Sequence, residues 1–289
     1  MDYSAISPTA KLVAHFRQCS DVPLAGEIAR RIGAADAVRA MLDGGDVAPG
    51  VLKWMAPLTE ARYRSVAREI RAAGVRQVVE LASGFTFRGA VLAGPRLRYV
   101  ETDLPALHAQ RAELRAELER DAAIVASPEL VFAAADASSA SAIAGLGDHL
   151  IPGAPVAVVH EGLLQYFSMA EKREVARGVG ELLARFGGVW ITPDFESLGD
   201  PLFARWTDPQ FRVIGAFLTD STRRHLPDAA FPSRDAVAPF FAELGFDLAV
   251  RPQIDHPAAL SSAAATGATA DELAALQASR RIWILRRAE

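Results

Sequence analysis

The stretch VVELASGFTFRG, residues 78–89, sets the reading of the whole chain. An apolar run ends in an acidic residue, Glu80, and breaks into the small residues Ala82, Ser83 and Gly84 before a helical segment follows. Small residues at such a turn let a ligand approach the backbone closely, and the start of the next helix offers N–H groups that the helix itself leaves unpaired. Outward from this point the rhythm repeats. YVETD, LVFAAAD, PVAVVH and GVWITPD are short β-rich runs, each followed by a turn or a helical segment, and FDLAV and RIWILRR add two more near the end. Alternating strand and helix implies βαβ units around a parallel sheet, whose strands are buried on both faces and therefore read as apolar throughout. The expectation is an α/β, Rossmann-like fold with a mostly parallel seven-stranded sheet and helices on both faces.

Residues 104–120 carry Leu107, Leu114 and Leu118, and residues 168–186 carry Val175, Val179, Leu182 and Leu183, at helical spacing. The first 73 residues read as a helical lead. Pro8 and Pro23 each open a helix, Cys19 falls in a helical stretch, and Thr59 is the expected N-cap of a long helix over 60–73 that Gly74 ends. Residues 195–231 mix Pro201, Pro209 and Pro227 with Phe203, Trp206, Phe211, Phe217 and Phe231. They read as an irregular helical insertion over the sheet edge, its aromatics either packing that insertion or lining a pocket. The expected organisation is a lead over 1–73 that covers a cofactor site, and an α/β domain over 74–289 with a cap insertion at about 195–233.

Composition narrows the function classes. The chain has 289 residues, 51% apolar and 23% charged, with a net charge of -4, the profile of a globular enzyme without the basic excess of a nucleic-acid or membrane-surface binder. A single cysteine excludes an intrachain disulfide and a cysteine-built zinc site, and no other metal-ligand spacing is visible. The N-terminus lacks the apolar block of a signal peptide, and no apolar run reaches the roughly 20 residues that span a bilayer. A reducing cytoplasm is the expected location.

Two cofactor classes use a strand, a small-residue turn and a helix in this order: dinucleotides and S-adenosylmethionine. A dinucleotide fingerprint would align its three glycines with Ala82, Gly84 and Phe87, and Phe87 is too bulky for the close helix–strand approach that the third glycine permits. About twenty residues beyond Glu80, the second strand ends with Glu101 and Asp103; Asp136 closes the third strand and Glu161 the fourth. In open parallel sheets ligands sit at that edge, where a carboxylate can accept hydrogen bonds from ribose hydroxyls. A cofactor crevice is the stronger reading of these acids together, although each alone could be a turn residue or a helix cap.

VVELASGFTFRG, YVETDLPAL and VHEGLLQYF, with the helical SPTAKLVAHFRQCSDVPLAGEIA before them, resemble the corresponding segments of the leucine carboxyl methyltransferase family, which includes bacterial polyketide O-methyltransferases of the tetracenomycin type. The resemblance runs from about residue 5 to 195. It implies a class I S-adenosylmethionine-dependent methyltransferase. By the same resemblance Arg62 holds the cofactor's carboxylate; the turn Ala82, Ser83 and Gly84 lies under its methionine part; Asp103 takes the ribose; Asp136 with Ala137 the adenine; and Glu161 the amino-acid end. Glu80 and Leu104 complete the expected cofactor-binding set. The chain departs from the family's pattern in having Ala82 where many members have glycine, and Phe87 where they have aspartate, which puts the floor near the methionine tail in doubt.

The expected partner is a small-molecule acceptor, methylated on a carboxylate or hydroxyl oxygen in secondary metabolism; a homodimer is left open. A carboxylate acceptor needs no base, whereas a hydroxyl usually does. Candidates are His160, which immediately precedes Glu161, and Tyr166, with Asp194 and His225 further off; no catalytic base is assigned. The insertion is expected to supply the acceptor pocket, its aromatics favouring an apolar acceptor and Arg205, Arg223 and Arg224 an acidic one. Alternatives remain: an enzyme that consumes S-adenosylmethionine by cyclisation or elimination, a NAD-dependent oxidoreductase, or a non-catalytic binding module.

Overall fold

Seven strands form the sheet: β1 (Gln77–Leu81), β2 (Arg98–Asp103), β3 (Leu130–Ala134), β4 (Val156–His160), β5 (Gly188–Thr192), β6 (Phe246–Pro252) and β7 (Arg281–Arg287). They lie in the order β3-β2-β1-β4-β5-β7-β6; the first five run parallel, and β7 runs antiparallel to both of its neighbours. The computed structural model describes residues 6–200, 205 and 208–288, so Pro201, Phe203 and Trp206 lie outside the described residues. Every residue of β1 and β4 is buried, which accounts for Val78, Val79 and Leu81 in the one and the run from Val156 to Val159 in the other. Gly188 fixes how close β5 comes to β4: its φ is +115°, and a Cβ there would lie 2.0 Å from the Val156 carbonyl oxygen. Only glycine fits that approach.

The lead comprises α1 (Ile6–Arg17), α2 (Ala25–Arg31), α3 (Ala34–Met41) and α4 (Pro49–Ala73). α4 starts well before the expected cap. Thr59 lies inside it and donates from Oγ1 to the Ala56 carbonyl at 3.0 Å. The helix runs through Pro57 because Val51, Trp54 and Leu58 bury an apolar face there. Side chains of that size contribute about 1.5–3 kcal/mol each, against about 3 kcal/mol for an interior proline. Cys19 sits in the turn after α1 rather than in the helix, half-buried, and burial raises its thiol pKa.

After the lead come α5 (Arg88–Leu92), α6 (Pro105–Arg120), α7 (Ala140–Gly145), α8 (Met169–Phe186), α9 (Pro209–Thr222), α10 (Leu226–Ala229), α11 (Val237–Ala242), α12 (Ser261–Thr266) and α13 (Ala270–Ser279). Ser168 caps α8 in a reciprocal box: its hydroxyl accepts from the Glu171 N–H at 3.3 Å, and Glu171 accepts from the Ser168 N–H at 2.8 Å. α7, α8 and α11 pack on one face of the sheet around Trp190, whose ring lies 5.4 Å from Phe241 and 5.6 Å from Phe246. On the other face, Val66 and Ile70 of α4 meet Val78, Val159 and Ile191. A third cluster joins the lead to α9 and α13 through Leu12, Phe16, Trp54, Phe211, Ile214 and Leu276. The insertion's described aromatics belong to these cores: Phe211 and Phe231 are each 2% exposed, and Phe217 packs against the third cluster. Among the described residues no helix is long and apolar enough to cross a membrane.

Candidate active site

The carboxyl ends of β1, β2, β3 and β4 open into one cavity, at the point where the strand order runs outward through β2 and β3 on one side and through β4 and β5 on the other. Such a switch point is where open α/β sheets hold ligands. The turn after β1 forms its floor. Ala82 and Gly84 take left-handed backbone angles, φ 47° and 53°, which turns the chain sharply away from the strand. Ser83 is tied down by its N–H and its hydroxyl, both donating to the Thr102 carbonyl at 2.9 Å, and the Arg111 guanidinium also reaches its Oγ. Asp103 spans the floor: Oδ2 accepts the Gly84 N–H at 2.7 Å and Oδ1 the Leu104 N–H at 2.9 Å. Burial raises the Asp103 pKa, opposed by the charge of Arg111 and these N–H groups.

The wall collects most of the residues singled out in the sequence. Arg62, Ala82, Ser83, Gly84, Asp103, Leu104, Asp136, Ala137 and Glu161 all line the cavity, as does Tyr166. Glu80 does not. It lies fully buried in β1, behind the floor, bonded to the Arg88 guanidinium and to the Tyr99 hydroxyl at 2.7 Å; burial raises its pKa, with Arg88 opposing. Phe87, expected to reshape the floor, is also sealed beneath it at 0% exposure, against Phe132 and the Arg111 guanidinium. α5, which follows it, is a five-residue helix, too short to present the pyrophosphate-binding dipole of a dinucleotide fold.

Arg62 comes from α4 and donates from Nη2 to Gln165 Oε1 at 3.0 Å and to Asp194 Oδ1 at 2.9 Å. Asp194 is a buried hub. It accepts the backbone N–H groups of Gly162, Leu163 and Leu164 at 2.8, 2.6 and 3.1 Å, and pairs with His160 Nδ1 at 2.9 Å. Burial works to raise its pKa, but the His160 contact and the Arg62 charge hold the carboxyl well below the usual carboxylate range.

His160 itself never reaches the cavity. Trp190 Nε1 donates to its Nε2 at 2.9 Å, so Nδ1 carries the proton towards Asp194 and both ring nitrogens are engaged. Its closeness to Glu161 in sequence misleads, because successive strand residues point to opposite faces. The Tyr166 phenol has its pKa raised by burial and stays protonated at neutral pH. His225 is exposed, 3.2 Å from Asp228, and off the wall.

Three arginines that the sequence reading passed over organise the site. Arg17, at the end of α1, and Arg88 both bond Glu161, the latter at 2.6 Å, and Arg88 continues to Glu80; Arg111 bonds Glu101. Arg17 and Glu161 are 144 residues apart, so no local pattern announces the pair. Arg17 lines the cavity, and its buried Nε has no hydrogen-bond partner among the described residues. α1 closes the cavity on this side with Thr9, Ala10, Val13 and Ala14.

The insertion lines the cavity with Ser221, Thr222, Arg223 and Arg224, and none of its described aromatics reaches the wall. Arg224 pairs with Glu171 through both nitrogens at 2.7 Å. Against the raising effect of burial, Arg224 and Ser168 hold the Glu171 pKa down at about 2. Beside it the buried Lys172 ammonium ties the insertion to the β4–α8 loop, donating to the Phe167 carbonyl and to the Ala229 carbonyl at 2.6 Å. Burial lowers its pKa to about 8. Arg205 lies 3.6 Å over the Trp54 ring and off the cavity wall.

The model of one family, leucine carboxyl methyltransferase, matches residues 35–180, just over half of the chain. Among solved structures, a Thermobifida fusca protein provisionally assigned as a methyltransferase is 18% identical, with a TM-score of 0.55 over 88% of this chain and 89% of its own. A DUF574-family protein of Streptomyces avermitilis is 16% identical, with a TM-score of 0.56 over 97% of each chain. These likenesses are of fold. A search of the curated proteins finds no match.

Proposed function

The chain belongs to the leucine carboxyl methyltransferase family, and on that premise we propose that it methylates an oxygen of a small-molecule acceptor, in secondary metabolism, within the cavity at the carboxyl edge of the sheet. It is an S-adenosylmethionine-dependent methyltransferase, and S-adenosylmethionine is its cofactor. The observation that carries the reading is that one cavity gathers Arg62, the 82–84 turn, Asp103, Asp136 and Glu161 from separate elements of the chain.

The donor set suits that cofactor. Each Asp103 oxygen accepts one backbone N–H, and a carboxylate oxygen has a second lone pair to offer a ribose hydroxyl. Asp136 and Ala137 stand at the next strand end, where the adenine belongs in this reading. Arg62 takes the carboxylate of the methionine end, a partner that a guanidinium can grip with two parallel bonds. The orphan Arg17 Nε gives that carboxylate a second donor. Glu161 accepts from the ammonium, and Glu80 serves behind it as the counter-charge of Arg88. The lead, through α1, covers the cofactor and keeps water out.

When bound, the cofactor supplies a methyl group already made electrophilic by its sulfonium. The protein's task is to hold the acceptor oxygen in line at near-attack distance. His160 has both nitrogens engaged, and Tyr166 stays protonated, so neither is poised as a base. This favours an oxygen that arrives ionised, a carboxylate or an acidic hydroxyl. The test is incubation with S-adenosylmethionine labelled in its methyl group and a library of small carboxylic acids and phenols. S-adenosylhomocysteine with a labelled ester or ether is the expected outcome; methylthioadenosine without a labelled acceptor would replace methyl transfer by cyclisation or elimination.

A further inference from the structure

At the insertion's corner of the cavity stands an exposed cation that pairs with no described residue. Arg17, Arg62, Arg223 and Arg224 all line the wall. Arg17 is paired with Glu161, Arg62 with Asp194 and Arg224 with Glu171. Arg223 has no hydrogen bond or ion pair among the described residues. Its backbone is left-handed, φ 52° and ψ 32°, at the residue that ends α9. Glycine or asparagine is the usual occupant of that conformation, and an arginine there carries a backbone penalty that a plain turn does not require.

The neighbours hold it in place. Thr222 Oγ1 donates to the Leu218 carbonyl at 2.6 Å and accepts the Arg224 N–H at 3.2 Å, while Arg224 is fixed by its two-pronged pair with Glu171. The chain is therefore anchored on both sides of an arginine whose own side chain is left to the cavity mouth. Tyr166 and Phe167 supply apolar surface on the adjacent wall.

We propose that Arg223 is the recognition residue for an acidic acceptor, a small apolar or aromatic acid whose carboxylate pairs with this guanidinium at the cavity mouth. The inference rests on the methyltransferase reading above and names the substrate class of the same cavity. Electrostatics favours it from the cofactor side as well: S-adenosylmethionine carries a sulfonium and an ammonium against one carboxylate, so its complex gains a positive charge that an anionic acceptor offsets. The carboxylate held by Arg223 is an anchor rather than the methylated group, because a guanidinium that engages the oxygen lone pairs withdraws them from attack.

The test uses the full chain saturated with S-adenosylhomocysteine and calorimetric titration with benzoate, 4-hydroxybenzoate and 2-naphthoate, each beside its uncharged amide. We expect at least one acid to bind about fivefold more tightly than its amide, the upper scale of one solvent-exposed ion pair, and to weaken as salt is added. Arg223→Gln should bring the acid down to the affinity of the amide, Arg223→Lys should retain part of the preference, and both variants should bind S-adenosylhomocysteine as the parent does. If no acid outbinds its amide, or if the preference survives in Arg223→Gln, the inference is overturned. Failure of the parent to bind S-adenosylmethionine in the same instrument would instead remove the cofactor reading, and this inference with it.

Discussion

Along β1, β2 and β4 the buried side chains include Glu80, Arg88, Glu101, Arg111 and Glu161, joined by charge-assisted bonds, whereas along β5, β6 and β7 the core is a stack of rings. In that second half, Phe195 lies 4.4 Å from Phe241 and Trp190 packs edge-on against Phe241 and Phe246. Ring packing stabilises without demanding one orientation, while a buried ion pair gains little net stability but fixes its atoms by direction. The cavity opens on the ionic half. The division teaches that ring packing is concentrated away from the cavity, and directional bonding around it.

Breaking the ionic half should cost most. Arg88→Met leaves Glu80 and Glu161 without their shared cation, and we expect a loss of about 4 kcal/mol in urea unfolding. Pairing it with Glu80→Gln should recover a large part of that loss; additive losses would show that the pair is not coupled. In the aromatic half, Phe241→Ala should lose about 3 kcal/mol while cofactor affinity, measured on the folded protein, stays unchanged. A matching fall in affinity would erase the contrast between the halves.

Ligand effects come next in size. Asp103→Ala should weaken S-adenosylmethionine by about 2 kcal/mol, roughly thirtyfold in Kd, and lower Tm without unfolding the chain, because the Gly84 and Leu104 N–H groups lose their acceptor. Arg62→Ala should weaken S-adenosylmethionine about tenfold more than adenosine, because only the former has a carboxylate to lose; equal losses would take the guanidinium off that group. The most gradual effect, spread over pH, lies at the seam of the insertion. The Lys172 pKa is lowered to about 8 from 10.5, so the unfolded chain holds the proton more tightly than the native one. Stability should therefore rise as pH climbs from about 8 towards 10.5, by roughly 1 kcal/mol per pH unit. Lys172→Met should flatten that slope; an unchanged slope would assign it to another group.

The fold was legible because each strand is a short apolar run closed by a turn, and because Val175, Val179, Leu182 and Leu183 mark α8 by their helical spacing. The strand-end acids were legible for the same reason: they recur at one position in a repeating unit. Glu80 lines up in that pattern yet faces away, since a strand shows its side chains to both faces in turn. The early start of α4 was hidden by Pro57, a local signal overruled by tertiary packing. Arg88 stood within the stretch that decides the fold, and Arg17 within the lead. Their roles depend on Glu161, which is distant from both in sequence, so composition and period carry no trace of them.

The chain of contacts from Arg17 through Glu161 and Arg88 to Glu80 alternates in sign and ends neutral. Such a series constrains descent as well as shape. A lineage that exchanges one link for an uncharged residue strands its neighbour in the interior, so substitutions here must arrive in compensating couples. Among divergent descendants these four positions should drift together or stand still.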